Sequence, residues 1–249
     1  MKHFGVLAHS AEGAALCFLT FCREGFERLG PHRHPDISMH CMEMSQSMPA
    51  WEANDLKTVR AIHALTVERL KAAGADFFAC PDNTSHIALE APGPELVLPG
   101  LNIGDVVADE AARRGMTRVA VLGTRFTMTG PVYPRAFGEK GIAIAIPDSD
   151  ERREIDRIIF DELVEGKFTD RSRSFYLGVI DRLKGEGCDG VALVCTEIPL
   201  LITDETSPLP ILDSTRLLAR AAFNVATGAS AMPDWRGGPV HRQAERKAG

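Results

Sequence analysis

Asp82 and Cys195 are two proton-exchanging side chains at matching places of a segment that this 249-residue chain carries twice. In the first copy Arg69-Leu70-Lys71, Gly74 and Asp76 lead in six steps (82 minus 76) to Asp82, within Cys80-Pro81-Asp82-Asn83-Thr84. In the second, Arg182-Leu183-Lys184, Gly187 and Asp189 lead in six steps (195 minus 189) to Cys195, within Val194-Cys195-Thr196-Glu197. Each matched pair is offset by 113 positions (182 minus 69), and Ala79 and Ala192 keep the same offset. Groups that can accept and return a proton are the material of general acid–base catalysis. Cys195 precedes Thr196-Glu197-Ile198-Pro199, a predicted short helix start whose N–H groups and dipole would favour thiolate over thiol. Its alternative role is that of one more small buried cysteine. Asp82 lies in Pro-Asp-Asn-Thr, which is equally good turn chemistry, so capping a turn is the alternative there. His9, His86 and Glu197 are candidates for orienting these groups.

Both residues need strands to position them, and the chain predicts strands alternating with amphipathic helices. Apolar runs at Phe4 to Ala8, Ile37 to Met42, Asp76 to Cys80, Val119 to Gly123, Ile142 to Ile146, Val191 to Val194 and Pro210 to Leu212 read as strands. Helical spacing covers Ala14 to Leu29, Glu52 to Ala73, Ile103 to Gly115, a stretch from Pro131, Asp150 to Glu165, Ser172 to Glu186 and Ser214 to Val225. Such alternation implies an α/β protein with parallel sheets covered by helices. The repeat divides it into two pseudo-symmetric, doubly wound halves of the Rossmann-like kind: residues 1–102 with 210–228, and residues 103–209. Ligands of such sheets bind beyond the carboxyl ends of the strands. The loops there hold His9, Ser10, Asn83, Thr84, Ser85, Thr124, Thr127, Thr196 and Glu197, which form the predicted substrate-binding set. Hydroxyls and free backbone N–H groups suit a small carboxylate, although the same residues are ordinary caps and turn formers. If the two halves face each other, these loops line one cleft. The loop Ser45 to Trp51 would then close over it or meet another subunit.

Composition narrows the classes further. A net charge of -6 argues against a nucleic-acid surface, which needs a concentrated basic face. No apolar run is long enough to span a bilayer, and Met1-Lys2-His3-Phe4-Gly5 leads directly into a strand, so a cytoplasmic protein is expected. The six cysteines form no metal-like Cys-x2-Cys pair, and neither a metal site nor a cofactor is expected. The tail 229–249 has no helical or strand period and is expected to be disordered.

A strand running into Pro81-Asp82-Asn83-Thr84-Ser85-His86 in one half and Cys195-Thr196-Glu197-Ile198-Pro199-Leu200-Leu201 in the other resembles the aspartate/glutamate racemase superfamily. Thr124 with Thr127, and Asp213-Ser214-Thr215, match it in kind, and the resemblance runs from Phe4 to about Ala226. It implies a cofactor-independent amino-acid racemase or epimerase, commonly a homodimer, whose active site lies between the halves. In the family's racemases two cysteines flank the substrate's α-carbon, one as base and one as acid. Here Asp82 stands where the first cysteine would be, and Cys80, two residues earlier on the same strand face, lies about 6 to 7 Å deeper. Three readings follow. In the first, Cys195 and Asp82 exchange protons with the α-carbon of a small amino acid or related carboxylate. In the second, Cys195 alone serves a malonate-type decarboxylation or the cis-trans isomerisation of a dicarboxylate, with Asp82 orienting the substrate. In the third, the chain binds a small carboxylate without catalysis.

Overall fold

The computed structural model describes residues 1–240. They form two compact units, Met1–Ile103 with the chain from Leu218 onward, and Gly104–Leu217. The first contains β1 (Phe4–Ala8), α1 (Ala11–Leu29), β2 (Ile37–Cys41), α2 (Met48–Glu52), α3 (Leu56–Ala72), β3 (Phe77–Ala79), α4 (Ser85–Leu89) and β4 (Gly100–Leu101). Its four strands are parallel and run in the order β2-β1-β3-β4. Strand side chains alternate between the two faces. Phe4 and Phe77 stack at 5.3 Å on one face, where Phe21 of α1 meets Phe4 at 5.0 Å. On the other face Leu7, Phe78 and Cys80 join Val67 and Leu70 of α3.

The second unit holds α5 (Ile103–Arg113), β5 (Arg118–Gly123), α6 (Arg125–Thr129), α7 (Val132–Glu139), β6 (Ala143–Ala145) and α8 (Ser149–Ile158). After a π-helical turn at Ile159–Leu163 come α9 (Asp170–Gly185), β7 (Gly190–Val194), α10 (Ile198–Leu201) and β8 (Ile211–Asp213), and α11 (Ser214–Thr227) starts here and passes into the first unit at Leu218. The parallel order is β6-β5-β7-β8, the same as in the first unit. Val119, Val121, Ala192 and Val194 face α5 and α7, while Ala120, Leu122, Val191 and Leu193 face α8 and α9.

The repeated residues have a structural reason. Gly74 and Gly187 follow α3 and α9 with φ of 95° and 92°, a left-handed conformation that costs a residue with a Cβ about 1–2 kcal/mol. The same two bonds close each helix: Ala75 N–H to the Leu70 carbonyl (3.0 Å) and Gly74 N–H to Lys71, then Cys188 N–H to Leu183 (3.1 Å) and Gly187 N–H to Lys184. Asp76 then accepts from His3 N–H at 2.8 Å, and Asp189 from Thr117 N–H at 2.7 Å. Each aspartate thereby ties the start of its own strand to the start of the neighbouring one. Ala79 pairs with Leu101 and Ala192 with Leu212, so the two registers correspond. Asp82 and Cys195 each lie three residues beyond that pair (82 minus 79, 195 minus 192).

Three expectations differ from the structure. The helix predicted at Glu52 to Ala73 starts only at Leu56, after α2 has ended at Glu52, because Asn54 adopts φ of 52° and Asp55 caps α3 by accepting Thr58 N–H at 3.0 Å. The strand at Ile211–Asp213 pairs with β7 and belongs to the second unit, the division falling inside α11 rather than before residue 210. The tail also differs: its residues 229–240 form no helix or strand but are packed, whereas 241–249 lie outside the described residues. Trp235 is buried against Phe78 and stacks on His86 at 5.9 Å. Backbone bonds join Gly100 N–H to Trp235, Leu96 N–H to Arg236, and Gly238 N–H to Leu89. One large apolar side chain and a few backbone bonds hold this segment, and neither produces a sequence period.

Candidate functional site

In each sheet the chain reverses its direction of strand addition between the two central strands, β1 and β3 in one unit, β5 and β7 in the other. Such a switch point leaves a crevice at the carboxyl ends of those strands. His9 follows β1 and Asp82 follows β3; Thr124 follows β5 and Cys195 follows β7.

In the first unit the structure joins His9 to Asp82. The His9 Nδ1 lies 2.6 Å from Asp82 Oδ2, with both side chains largely buried (11% and 15% exposed). The other carboxylate oxygen, Oδ1, accepts Ser85 N–H at 3.2 Å, so Asp82 also caps the turn into α4. Burial pulls the Asp82 carboxyl upward, but the His9 bond and charge, the Ser85 N–H and the nearby His63 hold it well below the usual carboxylate range. Burial opposes charge on His9 in the same way, and the bond to Asp82 and its charge outweigh this, raising the imidazole above its ordinary value of 6.5. The second ring nitrogen, Nε2, lies 2.9 Å from Ser47 Oγ, and that hydroxyl donates to the Met44 carbonyl at 2.9 Å. His63 of α3 meets the His9 ring edge-on at 5.2 Å. It is 1% exposed, and burial and the charge on His9 push it down to about 3, so it is neutral.

The remaining candidates of this unit surround that pair. Ser10 precedes α1 without capping it through its side chain, Asn83 and Ser85 are buried, and Thr84 is half-buried at the start of α4. Cys80 is fully buried in the α3-face core, where burial and the Asp82 charge push its thiol well above the ordinary range. His86 Nε2 bonds the Cys80 carbonyl at 3.1 Å, which fixes the backbone just before Asp82. The loop from Ser45 to Trp51 is a helical turn and α2, packed through Ala50 onto Val59 and Ala88.

In the second unit Cys195 stands one residue past the buried strand β7 and is 9% exposed. Its thiol donates to Glu197 Oε2 at 2.9 Å, and Glu197, 4% exposed, immediately precedes α10. Thr196 between them is buried. Tyr176 of α9 belongs to the same apolar cluster as Cys195. Its hydroxyl is pushed well above the ordinary range by burial and by the charges of Cys195, Asp156, Glu197 and Glu162. Thr124 caps α6, accepting Thr127 N–H at 3.3 Å with the two hydroxyls 2.7 Å apart. Arg125 is turned to Asp156 (Nε–Oδ2 3.9 Å) and over the Phe126 ring.

Sequence reading passed over Ser47, His63 and Tyr176 as site residues. Ser47 was legible only as one of several loop serines. The two ring residues sit on the buried faces of α3 and α9, where they read as core. Chemically, the second unit offers a thiol hydrogen-bonded to a carboxylate. The first offers a carboxylate hydrogen-bonded to an imidazole.

A family model for Asp/Glu/hydantoin racemases matches residues 19–222. The broad specificity amino-acid racemase RacX of Bacillus subtilis (strain 168) is 23% identical over 156 residues, covering 63% of this chain and 67% of RacX. A solved structure of a candidate Asp/Glu racemase from Yersinia pestis is similar with a TM-score of 0.81 and 28% identity, covering 91% of this chain and 100% of that one. An aspartate racemase homologue from Pyrococcus horikoshii OT3 is similar with a TM-score of 0.77 and 26% identity, again over 91% of this chain and 100% of that one. With two parallel α/β units and a family match over most of its length, the chain belongs to the Asp/Glu/hydantoin racemase family and is an isomerase of the racemase type.

Proposed function

We propose that this protein interconverts the enantiomers of a small amino acid without a cofactor, using Cys195 and Asp82 for the two proton transfers. The observation that carries the reading is the Cys195 thiol held at the end of β7 by its hydrogen bond to the Glu197 carboxylate at 2.9 Å, since a proton-carrying group fixed at a strand end can exchange a proton with carbon. In one direction the bond from the α-carbon to hydrogen breaks, its proton passes to the Cys195 thiolate, and Asp82 returns a proton to the carbanion. The reverse direction uses the same groups with exchanged roles. Similarity to a broad specificity racemase and to an aspartate racemase homologue supports an amino-acid substrate. Ser10, Asn83, Thr84, Ser85, Thr124, Thr127 and Thr196 are the proposed carboxylate-holding groups, on the strength of their hydroxyls, amides and loop N–H groups.

The reading is tested by incubating single enantiomers of a panel of amino acids in deuterated water and following loss of the α-hydrogen signal by NMR. At least one substrate should show exchange with inversion, and Cys195→Ala should lower that rate by about 10²–10⁴-fold, the usual worth of a positioned acid–base group. Absence of exchange from every amino acid tested would overturn the proposal.

A further inference from the structure

We propose that Asp82 does not act as a lone carboxylate but as the outer member of a proton relay, passing protons between the substrate's α-carbon and Nδ1 of His9. The inference rests on the racemase reading and adds a positioning residue, His9, that acts through Asp82. Three contacts carry it: His9 Nδ1 to Asp82 at 2.6 Å, His9 Nε2 to Ser47 Oγ at 2.9 Å, and Ser47 Oγ to the Met44 carbonyl at 2.9 Å. A serine hydroxyl has one hydrogen, and here the Met44 carbonyl, which can only accept, takes it. Nε2 must therefore donate to Ser47. Nδ1 is left facing the Asp82 carboxylate, where the single mobile proton of the pair resides.

The order Ser47–His9–Asp82 has the connectivity of a hydrolase triad, yet the hydrogen of Ser47 points away from the histidine and Ser47 is 1% exposed. Serine here holds the imidazole instead of being activated by it. As an acid, the pair passes its one mobile proton from Nδ1 to the Asp82 carboxylate and from there to the carbanion, leaving neutral His9 beside ionised Asp82. As a base, Asp82 takes the proton leaving carbon and hands it to Nδ1, restoring the imidazolium. The proton is conserved in each direction. A carboxylate with a reference pKa of about 3.9 is a feeble base toward carbon, and the relay replaces its basicity by that of an imidazole, with a reference value of about 6.5.

Burial holds three of the titratable groups around the pair uncharged. Facing it are Ser47 and the Met44 carbonyl, His63 from α3, Ser85 N–H and His86 from α4, and Cys80 after β3, with Cys17 of α1 behind Cys80. His63 is pushed down to about 3 and Cys17 up to about 12, both by burial, and Cys80 is raised well above its ordinary value. All three are uncharged at neutral pH.

The decisive variant is His9→Asn, whose side-chain amide can still donate to Asp82 but cannot take up a proton. With an amino acid on which the parent is active, the variant should lose inversion by at least about 100-fold. The enantiomer deprotonated by Cys195 should still exchange its α-hydrogen with deuterated water. In the parent, the rate profile should break at the pH where ¹⁵N NMR of labelled His9 shows it titrating, above 6.5. This second measurement needs no variant to fold. Inversion within about threefold of the parent with an unchanged pH profile, or a His9 titration well away from the kinetic break, would overturn the relay alone. A parent that exchanges no amino acid overturns the racemase reading instead.

Discussion

The two oxygens of Asp82 have different partners, and this asymmetry defines the residue. One accepts the Ser85 N–H and caps a turn, the other meets His9. The turn-capping role inferred from the sequence thus occupies one oxygen and leaves the other for His9, because a carboxylate offers two acceptors on one carbon. The pairing also gives the fold a pH signature. The Asp82 carboxyl is lowered in the folded state, so its contribution is present above its ordinary 3.8 and is lost as pH falls toward the lowered value. His9 is raised, so its contribution is full below 6.5 and is lost as pH rises through the raised value. These are two views of one interaction, which is at full strength between about pH 4 and about 6.5. Asp82→Asn should therefore cost about 2 kcal/mol at pH 5, in the range of a hydrogen bond to a charged group, and clearly less at pH 9. Urea unfolding at the two pH values measures it, and a deficit that grows with pH contradicts the assignment.

At the scale of the element, the repeated Gly and Asp residues are the hardware that sets strand registers, while the reactive residues lie just beyond them. Gly187 shows this most simply, since nothing lies within 4 Å of where its Cβ would be and only its φ of 92° demands glycine. Gly187→Ala should lower stability by about 1–2 kcal/mol with unchanged spectroscopic structure. A loss below a few tenths, read from urea midpoints, would mean that α9 ends without the left-handed turn. The helices before the sites were legible as amphipathic stretches because each buries one face on its sheet. The short helices α2, α4 and α6 were not, since five residues present no period and are held by caps such as Thr124 and by the strand ends they follow, while α10 was legible only as a helix start at Thr196 to Pro199.

For the molecule as a whole, the first unit joins the N-terminal part of the chain to the described residues from Leu218 onward, and the second is formed by the middle of the chain. Among the described residues no helix is long and apolar enough to cross a membrane. The C-terminal segment completes the first unit through Trp235, which packs in the α3-face core and donates its indole N–H to Gly238 at 3.0 Å. Trp235→Ala should cost about 3 kcal/mol, as for other buried aromatic truncations. Its effect should extend to Asp82, because the His86 that stacks on this indole also bonds the Cys80 carbonyl. Denaturant unfolding checks the first part, and a loss under 1 kcal/mol would show the segment to be dispensable.

By itself the sequence determined the two-half α/β architecture, the equivalence of Asp82 and Cys195, and the loops that hold the candidate groups. These follow from local signals: apolar runs, helical periods, turn glycines and a fixed offset of 113 positions. Only the tertiary structure decided that Asp82 has His9 as its partner, 73 positions away, and that Ser47 and the Met44 carbonyl hold the far side of that ring. The physical reason is the parallel sheet. Placing β3 beside β1 brings together two strand ends that the chain separates by three helices and a strand, and no residue near either end records which strand will be its neighbour. Trp235 was hidden for a related reason, because a segment fixed by one buried ring leaves no periodic trace along the chain.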